Sequence, residues 1–150
     1  MMPKRVSCIA ALALLLIAPR AFSEESGTYV GSMKCAACHS PITKAWQETN
    51  HFRAIESLKK TKQENLPDCV KCHVTGYERD GGFIDNELTP EMAGVQCEVC
   101  HGPGGDHVKD PAGKKLIRES GEETCRQCHT KGQDAGFNYK EKVKLVHGAK

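Results

Sequence analysis

The sequence predicts a mainly α-helical protein with little regular structure, in which short helices surround something other than a side-chain core. Three observations carry this. Four Phe, three Tyr and one Trp in 150 residues supply little of the apolar bulk that a domain of this size buries, and 14 glycines interrupt the chain often. The pattern C-x-x-C-H recurs four times, at Cys35-Ala-Ala-Cys38-His39, Cys69-Val-Lys-Cys72-His73, Cys97-Glu-Val-Cys100-His101 and Cys125-Arg-Gln-Cys128-His129. No longer self-similarity accompanies these motifs, so the chain is not a solenoid repeat.

The N-terminus reads as an address. Lys4 and Arg5 precede an apolar run at 6–18, too short to span a bilayer, and Ala21-Phe22-Ser23 offers small residues at a cleavage site. This predicts a signal peptide at 1–23, export to the periplasm or beyond, and a single domain at 24–150 with no transmembrane segment. An uncleaved anchor would need a longer apolar run. Cys8 leaves with the signal, so eight of the nine cysteines stay, all of them in the motifs. Losing Lys4, Arg5 and Arg20 takes the 21 basic residues to 18 against 19 acidic ones, a formal charge of −1 that gives no footprint for nucleic acid.

Along the rest of the chain, Ser40-Pro41 reads as a helix start, leading to Trp46. A second helix is expected at about 49–60, carrying His51, with Lys59, Lys60 and Lys62 as its solvated end. Asp80-Gly81-Gly82 places a small β-hairpin at 75–84. Thr89-Pro90 starts a short helical turn, and 95–101 forms another. Gly102-Pro103-Gly104-Gly105 ends that turn and leads to His107. Residues 110–115 read as a surface loop, with Lys114-Lys115 solvated. Ser120 and Glu123 form a capping box opening a helix into the last motif. Residues 139–147 read as a last short helix or an extended arm.

C-x-x-C-H is the attachment pattern of c-type haem. Two thiols three residues apart add to the two vinyl groups on one edge of the porphyrin, and the adjacent histidine binds iron from the proximal side. Zinc knuckles, redox dithiols and a disulfide framework also use paired cysteines, but none requires a histidine after the second cysteine in every copy. Four covalent haem c groups are therefore expected on Cys35 and Cys38, Cys69 and Cys72, Cys97 and Cys100, and Cys125 and Cys128. Their iron ligands would be His39, His73, His101 and His129, and the stacked haem planes would supply most of the core.

Of seven histidines, His51, His107 and His147 are left over. Each is a candidate sixth ligand, and bis-histidine ligation favours low-spin, low-potential haem, whereas methionine raises the potential. Three ligands for four irons leave one short. Met33 or Met92 could fill the gap, although a methionine more often packs. An open iron would bind water, nitric oxide, hydroxylamine or nitrite.

The segment from Tyr29 to His147 resembles the tetrahaem cytochrome c-554 family. The likeness rests on Tyr29-Val-Gly-Ser before the first motif, Trp46 and Asn50-His51, and Cys72-His73-Val-Thr-Gly-Tyr with Gly81-Gly-Phe83. It extends through Thr89-Pro90, Gly94-Val95-Gln96-Cys97-Glu98, Cys100-His101-Gly-Pro-Gly with His107, Cys128-His129 and Val146-His147. The resemblance implies a mostly helical fold with haems stacked in pairs, three bis-histidine haems and one five-coordinate haem on His73. It also implies that His107 pairs with the first haem, His147 with the third and His51 with the fourth. The chain is short for the family, with trimmed loops between motifs. The function expected is electron transfer between redox partners, a donor and an acceptor, in a respiratory chain. The alternatives are reduction of a small nitrogen oxide at the His73 haem and a filament whose haems form a continuous wire.

Overall fold

The computed structural model describes residues 27–113, 118 and 120–148. The expected signal segment 1–23, with Cys8, and the Lys114-Lys115 pair lie outside them. Helix α1 (Ser32–Gln47) carries the first motif and contains Pro41. A proline inside a helix lacks the N–H and its ring crowds the carbonyl four residues back. The helix breaks accordingly at His39 (φ −112°, ψ 36°). The start expected at Ser40-Pro41 is thus the second half of a kinked helix that had already begun, and Thr43 Oγ1 donates to the His39 carbonyl at 3.0 Å.

Helix α2 (Ala54–Thr61) is shorter than expected, and His51 sits in the turn before it. The His51 carbonyl accepts a bond from Val95 N at 2.9 Å, so the backbone there pairs with a distant segment instead of extending the helix. Helix α3 (Pro67–Val70) leads into the second motif, with proline at its first position. A 3₁₀ turn at Pro90–Met92 precedes α4 (Cys97–His101), which is the third motif itself, and α5 (Gly105–Lys109) carries His107. Helix α6 (Glu122–Arg126) opens the fourth motif. Its N-cap is Gly121, one residue past Ser120, and no side chain caps it. The capping box therefore does not form. Helix α7 (Tyr139–Lys142) and a 3₁₀ turn at Val143–Leu145 make the last segment helical, not extended.

The segment 75–84 is a closed loop, not a hairpin. Phe83 N donates back to Thr75 O at 2.9 Å and Gly82 N to Arg79 O at 2.9 Å, so the loop bonds to itself. A side chain at Gly82 would collide with the Gly76 backbone, and this close approach folds the loop tighter than a ladder allows. Among the described residues the isolated bridge is the antiparallel contact of Val74 with Ala93.

The apolar core is small: Ile55 and Leu58 of α2, Val70 of α3, and Val74, Phe83 and Met92. Met92 is 2 % exposed and acts as packing, while Met33 is 69 % exposed on the surface. Beside this cluster lies a buried polar one. Thr75 Oγ1 donates to Gly94 O at 2.8 Å and accepts from Gln96 N at 3.0 Å. The Gln96 amide accepts from Ser32 N at 2.6 Å and donates to Glu91 O at 2.6 Å and Ala93 O at 3.0 Å. The Glu98 carboxyl, 2 % exposed, accepts from Val30 N, Gly31 N and Gly104 N at 3.0, 2.8 and 2.6 Å. These three side chains fasten the start of α1 to the third motif.

Removing one acceptor would strand three backbone donors, each costing about 1–3 kcal/mol when buried without a partner. Glu98→Ala should therefore destabilise the protein by about 3 kcal/mol or more, lowering its chemical-denaturation midpoint, with Glu98→Gln falling between it and the parent.

Candidate haem-binding site

All four C-x-x-C-H motifs lie at helix ends or in the turns that follow. Cys35 and Cys38 are on α1, with His39 at the kink; Cys69 ends in α3, and Cys72 and His73 follow in a turn. Cys97, Cys100 and His101 form α4, while Cys125 is on α6 and Cys128 and His129 follow it. The eight motif cysteines are all free thiols. Among the described residues no three His, Cys, Asp or Glu side chains gather as a metal-binding group.

The thiols meet between motifs instead. The Cys35 and Cys97 thiols adjoin: Cys97 first, and then burial, pushes Cys35 up, while the neighbouring Cys35 holds Cys97 down at about 7 against the upward push of its own burial. Burial first, and then the bond to Cys72, pushes Cys128 up to about 12. Motif one therefore adjoins motif three, and motif two adjoins motif four.

The seven histidines form three facing pairs and one remainder. His39 faces His107 with ring centroids 6.4 Å apart and planes at 23°. His51 faces His129 at 6.1 Å and 49°, and His101 faces His147 at 6.2 Å and 10°. Two imidazoles on opposite sides of one metal stand about 6 Å apart, from roughly 2 Å per metal–nitrogen bond and roughly 1 Å from nitrogen to ring centre. The three pairs fit that separation. Burial first, and then the facing ring of His129, holds His51 below the usual histidine range; burial and His101 do the same to His147. Neutral imidazole is the form that binds a metal.

Among the described residues no ring stands across from His73. Its Nδ1 is occupied by Ala54 O at 2.7 Å, with Ser57 Oγ at 3.2 Å, which leaves Nε2 as the metal-facing atom. His73 opens on a cavity of about 1360 Å³ that also meets Cys69, Cys72, Cys100, Cys128 and His129. A site for one ligand takes about 300–1,000 Å³, so this space admits more than one group.

Several elements place the distal rings. The His51 turn is fixed by its bond to Val95, by Trp46 Nε1 donating to Val95 O at 3.0 Å, and by Phe52 set edge-on against Trp46 at 5.1 Å. Gly94 (φ +83°) lies so close that a side chain there would come 2.5 Å from Phe52 O. Gly105 N donates to Thr28 O at 3.0 Å, which seats α5 and His107. Sequence reasoning assigned no role to Thr75, to the Glu98 and Gln96 side chains, or to Asp134, whose Oδ2 lies 2.9 Å from His129 Nδ1. An acidic residue between the cysteines of a motif was the one signal for Glu98; nothing separates Asp134 from a surface aspartate.

The family model described as "Cytochrome c554 and c-prime" matches residues 34–102. Cytochrome c-554 of Nitrosomonas europaea is 36% identical, over 79% of this chain and 57% of that protein. Multiheme cytochrome MtrA of Shewanella baltica is 27% identical, over 87% of this chain and 39% of that protein. The chain thus spans about half the length of the curated relatives it matches. The structure of reduced cytochrome c554 from Nitrosomonas europaea is similar at a TM-score of 0.63 and 31% identity, covering 81% of this chain and 84% of that one.

Gly94→Ala forces a side chain into left-handed backbone and against the Phe52 carbonyl, and it should cost at least about 1–2 kcal/mol. The thermal midpoint of this variant should fall, whereas Gly136→Ala, where nothing lies within 4 Å of an added methyl, should leave it unchanged.

Proposed function

Because the chain belongs to the cytochrome c554 family, whose multihaem members transfer electrons through covalently bound haem c, we propose that it carries four haems and passes electrons between a donor and an acceptor protein of a respiratory chain. The observation that carries this reading is the set of three imidazole pairs at 6.1–6.4 Å beside one unpaired motif histidine. Haem iron, when bound, alternates between ferric and ferrous states and supplies the electron-carrying chemistry.

The protein's own residues do the rest. Cys35 and Cys38, Cys69 and Cys72, Cys97 and Cys100, and Cys125 and Cys128 would hold the haems by thioether bonds. His39 with His107, His101 with His147, and His129 with His51 would supply two ligands to each of three irons, which favours low potentials. His73 would supply the one protein ligand of the fourth. The thiol contacts of Cys35 with Cys97 and of Cys72 with Cys128 bring the motifs together in two pairs, as electron exchange inside one chain requires. Export through the segment 1–23 fits a cofactor attached outside the cytoplasm. Among the described residues no helix is long and apolar enough to cross a membrane.

A second reading is favoured by the unpaired His73: a small nitrogen oxide could bind and be reduced on the side left without an imidazole. The filament reading loses support, since His51, His107 and His147 each face a partner within the chain and none is left to reach a neighbour.

Electron paramagnetic resonance of the oxidised haem-loaded protein tests both readings. Three low-spin haems and one high-spin haem altered by nitric oxide are expected; four low-spin haems with no response would contradict the open site. His51→Ala, His107→Ala and His147→Ala should each convert one further haem to high spin.

A further inference from the structure

The partners of the motif histidines differ in charge, and the difference is built into the fold. The Nδ1 of His73 meets a neutral carbonyl, Ala54 O, at 2.7 Å. The Nδ1 of His129 meets a carboxylate, Asp134 Oδ2, at 2.9 Å. Among the described residues His129 is the motif histidine with a carboxylate partner.

The loop after the fourth motif is shaped to hold that contact. Asp134 N and Gln133 N donate to Thr130 O at 2.8 and 3.1 Å, and Phe137 N donates to Asp134 O at 3.2 Å. The turn so formed lays the Phe137 ring on the His129 imidazole, centroids 4.5 Å apart and planes at 18°. Arg126 lies over the Phe137 ring at 4.8 Å from its centroid, and it donates to His129 O at 3.2 Å and Phe137 O at 3.3 Å. Glu122 pairs with Arg126 at 3.0 Å, which neutralises the cation nearest the ring. The loop thus holds Asp134 and Phe137 against the imidazole from two sides.

We propose that Asp134 is a positioning residue that makes His129 an electron-rich ligand and thereby holds the potential of the haem on Cys125 and Cys128 below the value a neutral partner would give. With Nε2 on iron, the Nδ1 proton of His129 is donated to the carboxylate. A carboxylate acceptor gives the ring imidazolate character and raises its basicity, and a more basic ligand stabilises ferric over ferrous iron. The carboxylate is partly exposed, so water weakens the effect without abolishing it. The Ala54 carbonyl cannot act as strongly on His73. Two haems of one chain are thus set apart by the charge of a single hydrogen-bond acceptor each.

This inference rests on the reading that His129 binds iron, and the experiment separates the two. Potentiometric titration of the haem-loaded protein is compared with Asp134→Asn, which keeps size and an acceptor oxygen but removes the charge, and with Asp134→Glu. One of four midpoint potentials should rise in Asp134→Asn, the other three should stay, and Asp134→Glu should bring it back down. Four unmoved potentials, or four that move together, would overturn the role of Asp134. Intact mass reports the haem count: fewer than four haems on the parent chain overturns the functional reading instead. Should Asp134→Asn fail to load haem, ¹⁵N-histidine spectra of the unmodified holoprotein decide. One motif-histidine Nδ1 set apart toward the imidazolate side supports the proposal, and four alike overturn it.

Discussion

Three pairs of imidazoles face one another with centroids 6.1–6.4 Å apart, and this facing, on which the proposed haem sites depend, brings together parts of the chain far apart in sequence. His39 on the kink of α1 faces His107 on α5, His51 faces His129, and His101 faces His147 near the C-terminus. The apolar cluster of Ile55, Leu58, Val70, Val74, Phe83 and Met92 reaches only the middle of the molecule. Among the described residues, this cluster includes none of α5, α6 or α7. In the proposed function, a metal held between two rings would link those elements and offset chain entropy that so small a core offsets only in part. The large space beside the motifs is therefore part of the architecture, the volume around which the short helices are arranged.

The protein backbone prepares these pairings by fixing turns, not long helices. Glu98 is the clearest case. One carboxyl between the two cysteines of the third motif gathers donors from Val30, Gly31 and Gly104, so the entry to α1 and the approach to α5 are set by the same side chain. Gln96 and Thr75 continue this network to the loop that buries Phe83. Trp46, Val95 and Gly94 perform the same task for His51. His51 and His107 are thus placed by compact sets of hydrogen bonds, and helix length contributes little.

The sequence carried the chemistry more plainly than the geometry. C-x-x-C-H is local, so its four copies could be read residue by residue, and the low aromatic content pointed to an interior that side chains alone do not fill. The mainly helical fold followed from the same facts and from family resemblance, and the structural similarity to cytochrome c554 agrees with it. The misread elements were those where distant backbone wins over local pattern. Asp80-Gly81-Gly82 has hairpin composition, but the loop closes on Thr75 and packs against Gly76. His51 has helical neighbours, but its carbonyl goes to Val95. Ser120 with Glu123 matches a capping box, yet Gly121 takes the cap. Glu98 and Asp134 act through partners that only folding supplies, and no spacing rule reveals them.

The most direct test of this account is a crystal structure of the haem-loaded protein with anomalous scattering recorded at the iron edge. Four iron positions are expected. Three should lie between the ring pairs His39–His107, His51–His129 and His101–His147, and the fourth against Nε2 of His73 with no protein ligand opposite. Fewer than four irons, an iron lying outside these pairs, or a side chain closing the far side of the His73 iron would contradict it.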